Sequence, residues 1–365
     1  MNVELKKVSF HKDESCDFIS TLRKKINHYF KDCNLSPKAN FSMYFKTIFF
    51  VCLMALTYIA ILKGLGGALG VFGLYILLGF FISVGGMNIA HDALHGSYTS
   101  FSWGNPVLGL FMDLFGASSF YWRKEHTVDH HTFTNIAEHD ADLDVPILIR
   151  LCPKAPHRPF HRFQHFYAPF LYSLKFMHWI FFSDMKRIVK IFKEKPKSPG
   201  KTDVFLLITF KVLHFFLFLI LPIIYLSFPW WQVALCYLAF LGTAGIIMTT
   251  IFQLAHIVEN VAFPLPNVSG KIENSFFKHQ LATTSNFAMN NKLVGFLFGG
   301  LNFQIEHHLF PHICHTHLRK ISSIVQSTAK EFGIPYHHHS SFFAALKSHF
   351  KTLKVLGRSP ESRSV

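Results

Sequence analysis

Seven histidines and one glutamine fall into three tight clusters, and their spacing is that of metal ligands. The clusters read His91-Asp92-Ala93-Leu94-His95, His126-Thr127-Val128-Asp129-His130-His131 and Gln304-Ile305-Glu306-His307-His308. An eighth histidine, His256, stands alone in Phe252-Gln253-Leu254-Ala255-His256. Residues four apart on a helix share a face, about 6 Å apart along the axis. His91/His95 and His126/His130 have that spacing. His131 lies about 100° around a helix from His130, so the adjacent pair can face two metals. His307/His308 repeats the adjacent pair, with Gln304 three and four residues upstream. Taken singly, each histidine reads as an ordinary interfacial side chain. Three clusters at ligand spacing read as a metal centre, and two metals sharing the imidazoles is the simplest use of so many. Imidazole suits iron, copper and zinc alike, so ligand type alone does not choose the metal.

The elements that must position these residues are membrane spans. Half of the 365 residues are hydrophobic, 43 of them Phe, a composition that points to an integral membrane protein. A span takes roughly 20 apolar residues. Four stretches qualify, at residues 41–62, 65–90, 204–226 and 230–254. The links within each pair are very short, Lys63-Gly64 and Ser227-Phe228-Pro229, which predicts two hairpins. Lys46 and Lys211 interrupt the first and third spans and are expected to snorkel toward an interface. The stretch 101–121 carries only Asp113 as a charge but is broken by Gly104, Pro106, Gly109 and Gly116. With 293–303, it reads as an interfacial or half-buried helix rather than a span.

All but three of the 36 Lys and Arg lie in residues 1–40, 91–203 and 255–365. The positive-inside rule puts these segments, and both termini, in the cytoplasm. Every histidine cluster then falls on the cytosolic side, His91/His95 just past the second span and His256 just past the fourth. Were 101–121 a span, the first cluster would face away from the others. The expected architecture is an all-α integral membrane protein of four transmembrane helices in two hairpins, with a cytosolic helical cap holding the histidine-rich site. Residues 1–40 form a cytosolic N-terminal segment with a surface helix around Glu14–Phe30. Residues 41–355 are the membrane domain, with cytosolic parts at 91–203 and 255–355, and residues 356–365 are a polar tail.

The remaining histidines read differently. His139, His157, His161, His165, His178, His279, His312, His315 and His317 are expected at the surface or behind the ligands. The run His337-His338-His339 reads as a solvated turn after Pro335. His214, inside the third span, is expected to hydrogen-bond a neighbouring helix. Asp92, Asp129, Glu306, Asp140, Asp142 and Asp144 are candidates to orient imidazoles through their second ring nitrogen; the aspartate run reads equally well as a solvated loop. The six cysteines show no iron–sulfur spacing and read as reduced.

The clusters, their order and the spans around them resemble the membrane fatty acid desaturase family. The likeness is to the front-end and linoleoyl-CoA desaturase-like branch, whose third box opens with Gln. Gln304-Ile305-Glu306-His307-His308-Leu309-Phe310-Pro311 resembles that box, His91 to Ser97 the first and His126 to Asn135 the second. His279-Gln280-Leu281-Ala282-Thr283-Thr284 is a weaker supporting stretch. The resemblance runs from about residue 40 to about 355, as far as the spans and boxes extend.

The resemblance implies two Fe ions held among the histidines, O2 as co-substrate and a cis double bond inserted into an acyl chain. An unactivated C–H bond offers a side chain no acid or base to work on, so a metal–oxygen species must do the hard chemistry. Carried over position by position, His91, His95, His126, His130, His131, His307 and His308 are iron ligands. His256 matches the extra histidine that relatives place after the fourth span, and Gln304 stands where other branches have a histidine, as a ligand, a water-holder or a hydrogen-bond partner. No His-Pro-Gly-Gly haem motif of a fused cytochrome b5 domain occurs, so electrons are expected from a separate donor, a ferredoxin or cytochrome b5. The net charge of +15 would attract anionic headgroups, acyl-CoA phosphates and an acidic donor. No nucleic-acid motif accompanies it. The substrate is an acyl-CoA or a phospholipid acyl chain, probed first with linoleate. A di-iron acyl or lipid hydroxylase is the alternative in the same superfamily. A histidine-rich metal transporter is the alternative of another class, but it calls for ligands at mid-membrane. A zinc protease is disfavoured because no His-Glu-x-x-His occurs.

Overall fold

The computed structural model describes residues 8–11, 17–143, 145, 147–194 and 199–358. Asp144, Glu14, Cys16 and the tail beyond Arg358 lie outside them. Four helices are long and apolar enough to cross a membrane: Phe41–Leu62, Gly67–Leu94, Lys201–Tyr225 and Trp230–His256. These are the four expected spans, with one consequential shift. The second helix does not end at residue 90 but continues through a π-helical turn, Gly86–Ala90, into His91–Leu94. The fourth runs on to His256. His91 and the lone His256 therefore sit on the last turns of the span helices rather than just past them, and His95 caps the second. The helix in the glycine-broken stretch covers only Gly104–Leu114. Its 11 residues make about 16 Å at 1.5 Å per residue, half of a ~30 Å hydrocarbon core.

Contacts sort the chain into two units. The span unit comprises residues 39–123 and 169–250. Its first helix starts where the Asn40 side chain accepts a hydrogen bond from the Met43 N–H, satisfying one of the helix's unpaired first donors. Spans 1 and 2 pack against each other, joined by a turn in which Gly64 and Gly66 take the left-handed conformation that a Cβ disfavours. Met43, Phe50, Met54 and Ile61 of span 1 face inward, whereas Phe41, Ile48 and Leu56 face outward. Spans 2 and 4 approach so closely at Gly79 that a Cβ there would meet the Phe240 carbonyl oxygen at 2.5 Å.

Several of the span unit's polar side chains are paired inside it. Lys46 and Lys211 are both buried, so neither snorkels. The Lys211 ammonium donates to Asp184 Oδ2 at 2.8 Å and to the Gly116 carbonyl. Asp184 also pairs with Arg187, whose guanidinium lies over the Tyr121 ring. A buried charge is tolerated when it is paired. His214 bonds a neighbouring helix as expected: its Nδ1–H donates to the Leu114 carbonyl, and its Nε2 lies 2.8 Å from the Tyr237 hydroxyl of span 4.

The second unit comprises described residues within 1–38, 124–168 and 251–365. Helix Asp17–Asp32 repeats apolar residues at Phe18, Leu22, Ile26 and Phe30, a stripe that buries one face. It packs on Leu318, Ile321, Val325 and Ala329 of helix Leu318–Glu331, and Lys25 pairs with Glu331 at its edge. The same core takes in Ile305 and Leu309 of the third-box helix. Two parallel strand pairs tie distant segments: Ser9–Phe10 with Lys271–Ile272, and Asn286–Phe287 with His338–His339. The histidine run is thus partly a strand, not a solvated turn, because its backbone is taken by a segment some fifty residues away. Five of the six cysteines are described, all free thiols.

Candidate metal centre

His126, His130, His131, His256, His307 and His308 come together in the second unit, all buried. The second box is wound as a π-helix over Arg123–His130, which replaces the four-residue spacing of ring faces by five. His126 Nε2 accordingly lies 3.3 Å from His131 Nε2, while the His126 and His130 rings stack at 5.2 Å. The expectation of one shared face for His126 and His130 assumed an α-helix. The π-turn brings His126 to His131 as well. The His307 ring lies 4.7 Å from that of His131.

The sharpest group is His130, His256 and His308. Each offers one ring nitrogen, and the three lie within 4.8 Å of one another. On each ring Nδ1 is engaged: His130 donates to Asp140 Oδ1 at 2.9 Å, His256 to the Thr283 carbonyl at 3.3 Å, and His308 to Gln280 Oε1 at 2.9 Å. On each ring Nε2 is buried and makes no hydrogen bond. Three buried imidazoles engaged at Nδ1, each with an unbonded Nε2, offer ring nitrogens close enough to share one metal. A buried polar atom without a partner costs about 1–3 kcal/mol, so three at one place fit a bound metal ion. The outward hydrogen bonds fix tautomer and ring orientation, as ligating histidines require.

Electrostatics follow the same division. Burial opposes protonation of His130, but the charges of Asp140 and Asp142 and the hydrogen bond it donates to Asp140 outweigh it and raise the ring to about 9, so without metal the ring holds a proton on Nε2 that a bound cation would displace. Burial would raise Asp140, yet His130 and the N–H groups of Asn135 and Asp142 leave it lowered. His308 has no carboxylate behind it; burial and its histidine neighbours hold it well below the ordinary range.

His91 and His95 lie in the span unit with rings 4.7 Å apart, each edge-on to Trp122. Gln304 is buried at the start of the third-box helix, its amide nitrogen unbonded.

The acidic candidates part ways. Asp140 holds His130, and Asp142 Oδ2 lies 3.5 Å from the same nitrogen. Asp92 Oδ1 lies 3.8 Å from His91 Nδ1. Glu306 does not turn toward an imidazole: its carboxylate accepts from Asn286 and from the Tyr336 hydroxyl, both at 2.8 Å. Burial lifts it to about 7. It anchors the third-box helix, whose Ile305 N–H donates to Asn286 Oδ1. Asp129 is half-buried, and burial raises its carboxyl against the opposing charge of Lys124.

Beyond the aspartates, sequence reasoning passed over residues behind the ligands. Asn135 sits in the left-handed region, φ 58°, and donates to the carbonyls of His256 and Ala262, while its N–H holds Asp140. An Asn closing a helix is a signal for that conformation. Gln280 lay in the supporting stretch without a role.

Residues 66–340 match the family model described as fatty acid desaturase. The chain is 34% identical to the sn-1 linoleoyl-lipid 6-desaturase of Arthrospira platensis, over 98% of this chain and 97% of that one. It is 34% identical to the acyl-lipid (8-3)-desaturase of Physcomitrium patens, over 94% and 72%. It is 33% identical to the sn-1 linoleoyl-lipid 6-desaturase of Synechocystis sp., over 93% and 96%.

Proposed function

This chain belongs to the fatty acid desaturase family, and we propose that it is a front-end enzyme acting on a lipid-linked unsaturated chain such as linoleoyl. It is an oxidoreductase that desaturates fatty acyl chains; hydroxylation and metal transport are not favoured. Two of the relatives above are named for a linoleoyl-lipid substrate and the third for an acyl-lipid, which supports a lipid ester over a CoA thioester. The single observation carrying the chemistry is the convergence of the three unbonded Nε2 atoms of His130, His256 and His308.

We assign two iron ions to His91, His95, His126, His130, His131, His256, His307 and His308, with Gln304 as a further ligand or hydrogen-bond partner. Bound there, iron would supply the O2-reducing power that removing hydrogens from unactivated carbons demands. The chain's own residues do the rest. Asp140, Thr283 and Gln280 hold His130, His256 and His308 in the tautomer that presents Nε2. The buried surroundings of these histidines exclude water. The reaction consumes O2, two electrons and two protons for each double bond and releases two waters, so a separate donor, a ferredoxin or cytochrome b5, is part of the proposal.

The spans are read as two hairpins with both termini and the histidine-bearing segments in the cytoplasm, on the distribution of Lys and Arg. Expression in a host lacking polyunsaturated lipids, fed linoleate, tests the function. A product lighter by two hydrogens, with a new bond between the existing two and the carboxyl end, is expected. A product gaining oxygen defeats it, and a His307→Ala enzyme that stays active defeats the iron assignment.

A further inference from the structure

Gln280 belongs to none of the histidine clusters, yet it touches two of them. It lies on the short helix Phe276–Thr283 and is wholly buried. Its Oε1 accepts from His308 Nδ1 at 2.9 Å, and its Nε2 donates to the His131 carbonyl at 2.9 Å. The Thr134 hydroxyl reaches the same Oε1 at 3.1 Å and the His130 carbonyl at 2.8 Å. One carboxamide thus joins the ring of a third-box histidine to the backbone of the second box. The three converging imidazoles are backed by three different acceptors: a carboxylate behind His130, a peptide carbonyl behind His256 and a side-chain amide behind His308.

We propose that Gln280 is a positioning residue of the metal centre, fixing His308 in its Nδ1–H tautomer and locking the third box to the second. Only a group that accepts on one side and donates on the other meets both contacts, and an amide does so without adding charge. The inference rests on the iron reading above and deepens it.

The test is made on the purified holoenzyme by titrating iron out with a chelator and recording the Mössbauer spectrum. Gln280→Met keeps the volume and removes both hydrogen bonds, whereas Gln280→Glu keeps the acceptor toward His308. Loss of an outer partner typically weakens metal retention about 10–100-fold. The expected result is that loss for Met, with an altered spectrum, and retention within a few-fold of wild type for Glu. Wild-type retention by Met overturns the proposal, and equal loss by both overturns the claim that the acceptor toward His308 is what holds the metal, since Glu keeps that contact and loses only the donor to the His131 carbonyl. If Met does not fold, Glu decides alone: iron kept supports the role, iron lost refutes it. A wild-type enzyme that binds no iron would sink the iron reading itself, and the proposal with it.

Discussion

At the scale of the residue, the centre is a matter of which nitrogen carries the proton. His130 owes its orientation to Asp140, whose two oxygens also receive the N–H groups of Asp142 and Asn135. Asp140→Asn keeps the shape and removes the charge. It is expected to lower iron affinity about 10–100-fold, measured by chelator titration, and to lower the melting temperature as well, because one oxygen that accepts a backbone N–H becomes a donor. Asp140 was legible only as one of three alternating aspartates; nothing in their spacing says which turns inward, since that depends on a loop closing on Asn135. A second prediction concerns acid. His279 and His349 are buried, and burial holds each at about 4. The unfolded chain takes up protons near 6.5 that the folded chain refuses until about 4, so stability is full above 6.5 and is lost as pH falls from there. Each group costs about 1.4 kcal/mol per pH unit in that window. Melting in detergent at pH 7.5 and 5.5 should show the drop, and His349→Asn should shrink it.

At the scale of the element, the π-turn through the second box decides what the spacing could not. A four-residue interval states which residues share a face only once the winding is known. The extra residue per turn over Arg123–His130 is a tertiary choice, made where the turn brings His126 to His131. The N-terminal helix is another such case. Its apolar stripe at Phe18, Leu22, Ile26 and Phe30 is plain in the sequence, but its partner, helix Leu318–Glu331, lies about three hundred residues away. The shared core reaches Ile305 and Leu309 of the third-box helix. Leu22→Ala is therefore expected to cost about 2–5 kcal/mol and to loosen the third box from a distance. Hydrogen exchange across residues 304–309 is the measurement; unchanged protection would separate the two elements.

At the scale of the whole molecule, the distribution of Lys and Arg makes a prediction about sidedness. Cys33 is exposed in the N-terminal segment, and Lys63 stands in the link between the first two spans. In single-cysteine variants, a membrane-impermeant thiol reagent should reach Cys33 only after the cell is permeabilised, and a Lys63→Cys site in intact cells. Labelling of Cys33 from outside would reverse the orientation. The four spans were readable almost to the residue because crossing a bilayer asks only for a local run of apolar residues, which composition alone supplies. The boxes were readable for the same reason: a ligand set with short internal spacing is written in a few adjacent positions. Where each imidazole directs its free nitrogen was not readable. That depends on Asp140, Thr283 and Gln280; equally unreadable were Lys211 finding Asp184 and Glu306 turning to Asn286 and Tyr336. Several of these partners are far from the residues they serve. A hydrogen bond across such a distance in the chain exists only once the fold has closed it, so the sequence determined which residues could bind metal, and tertiary structure alone decided how each is held to do so.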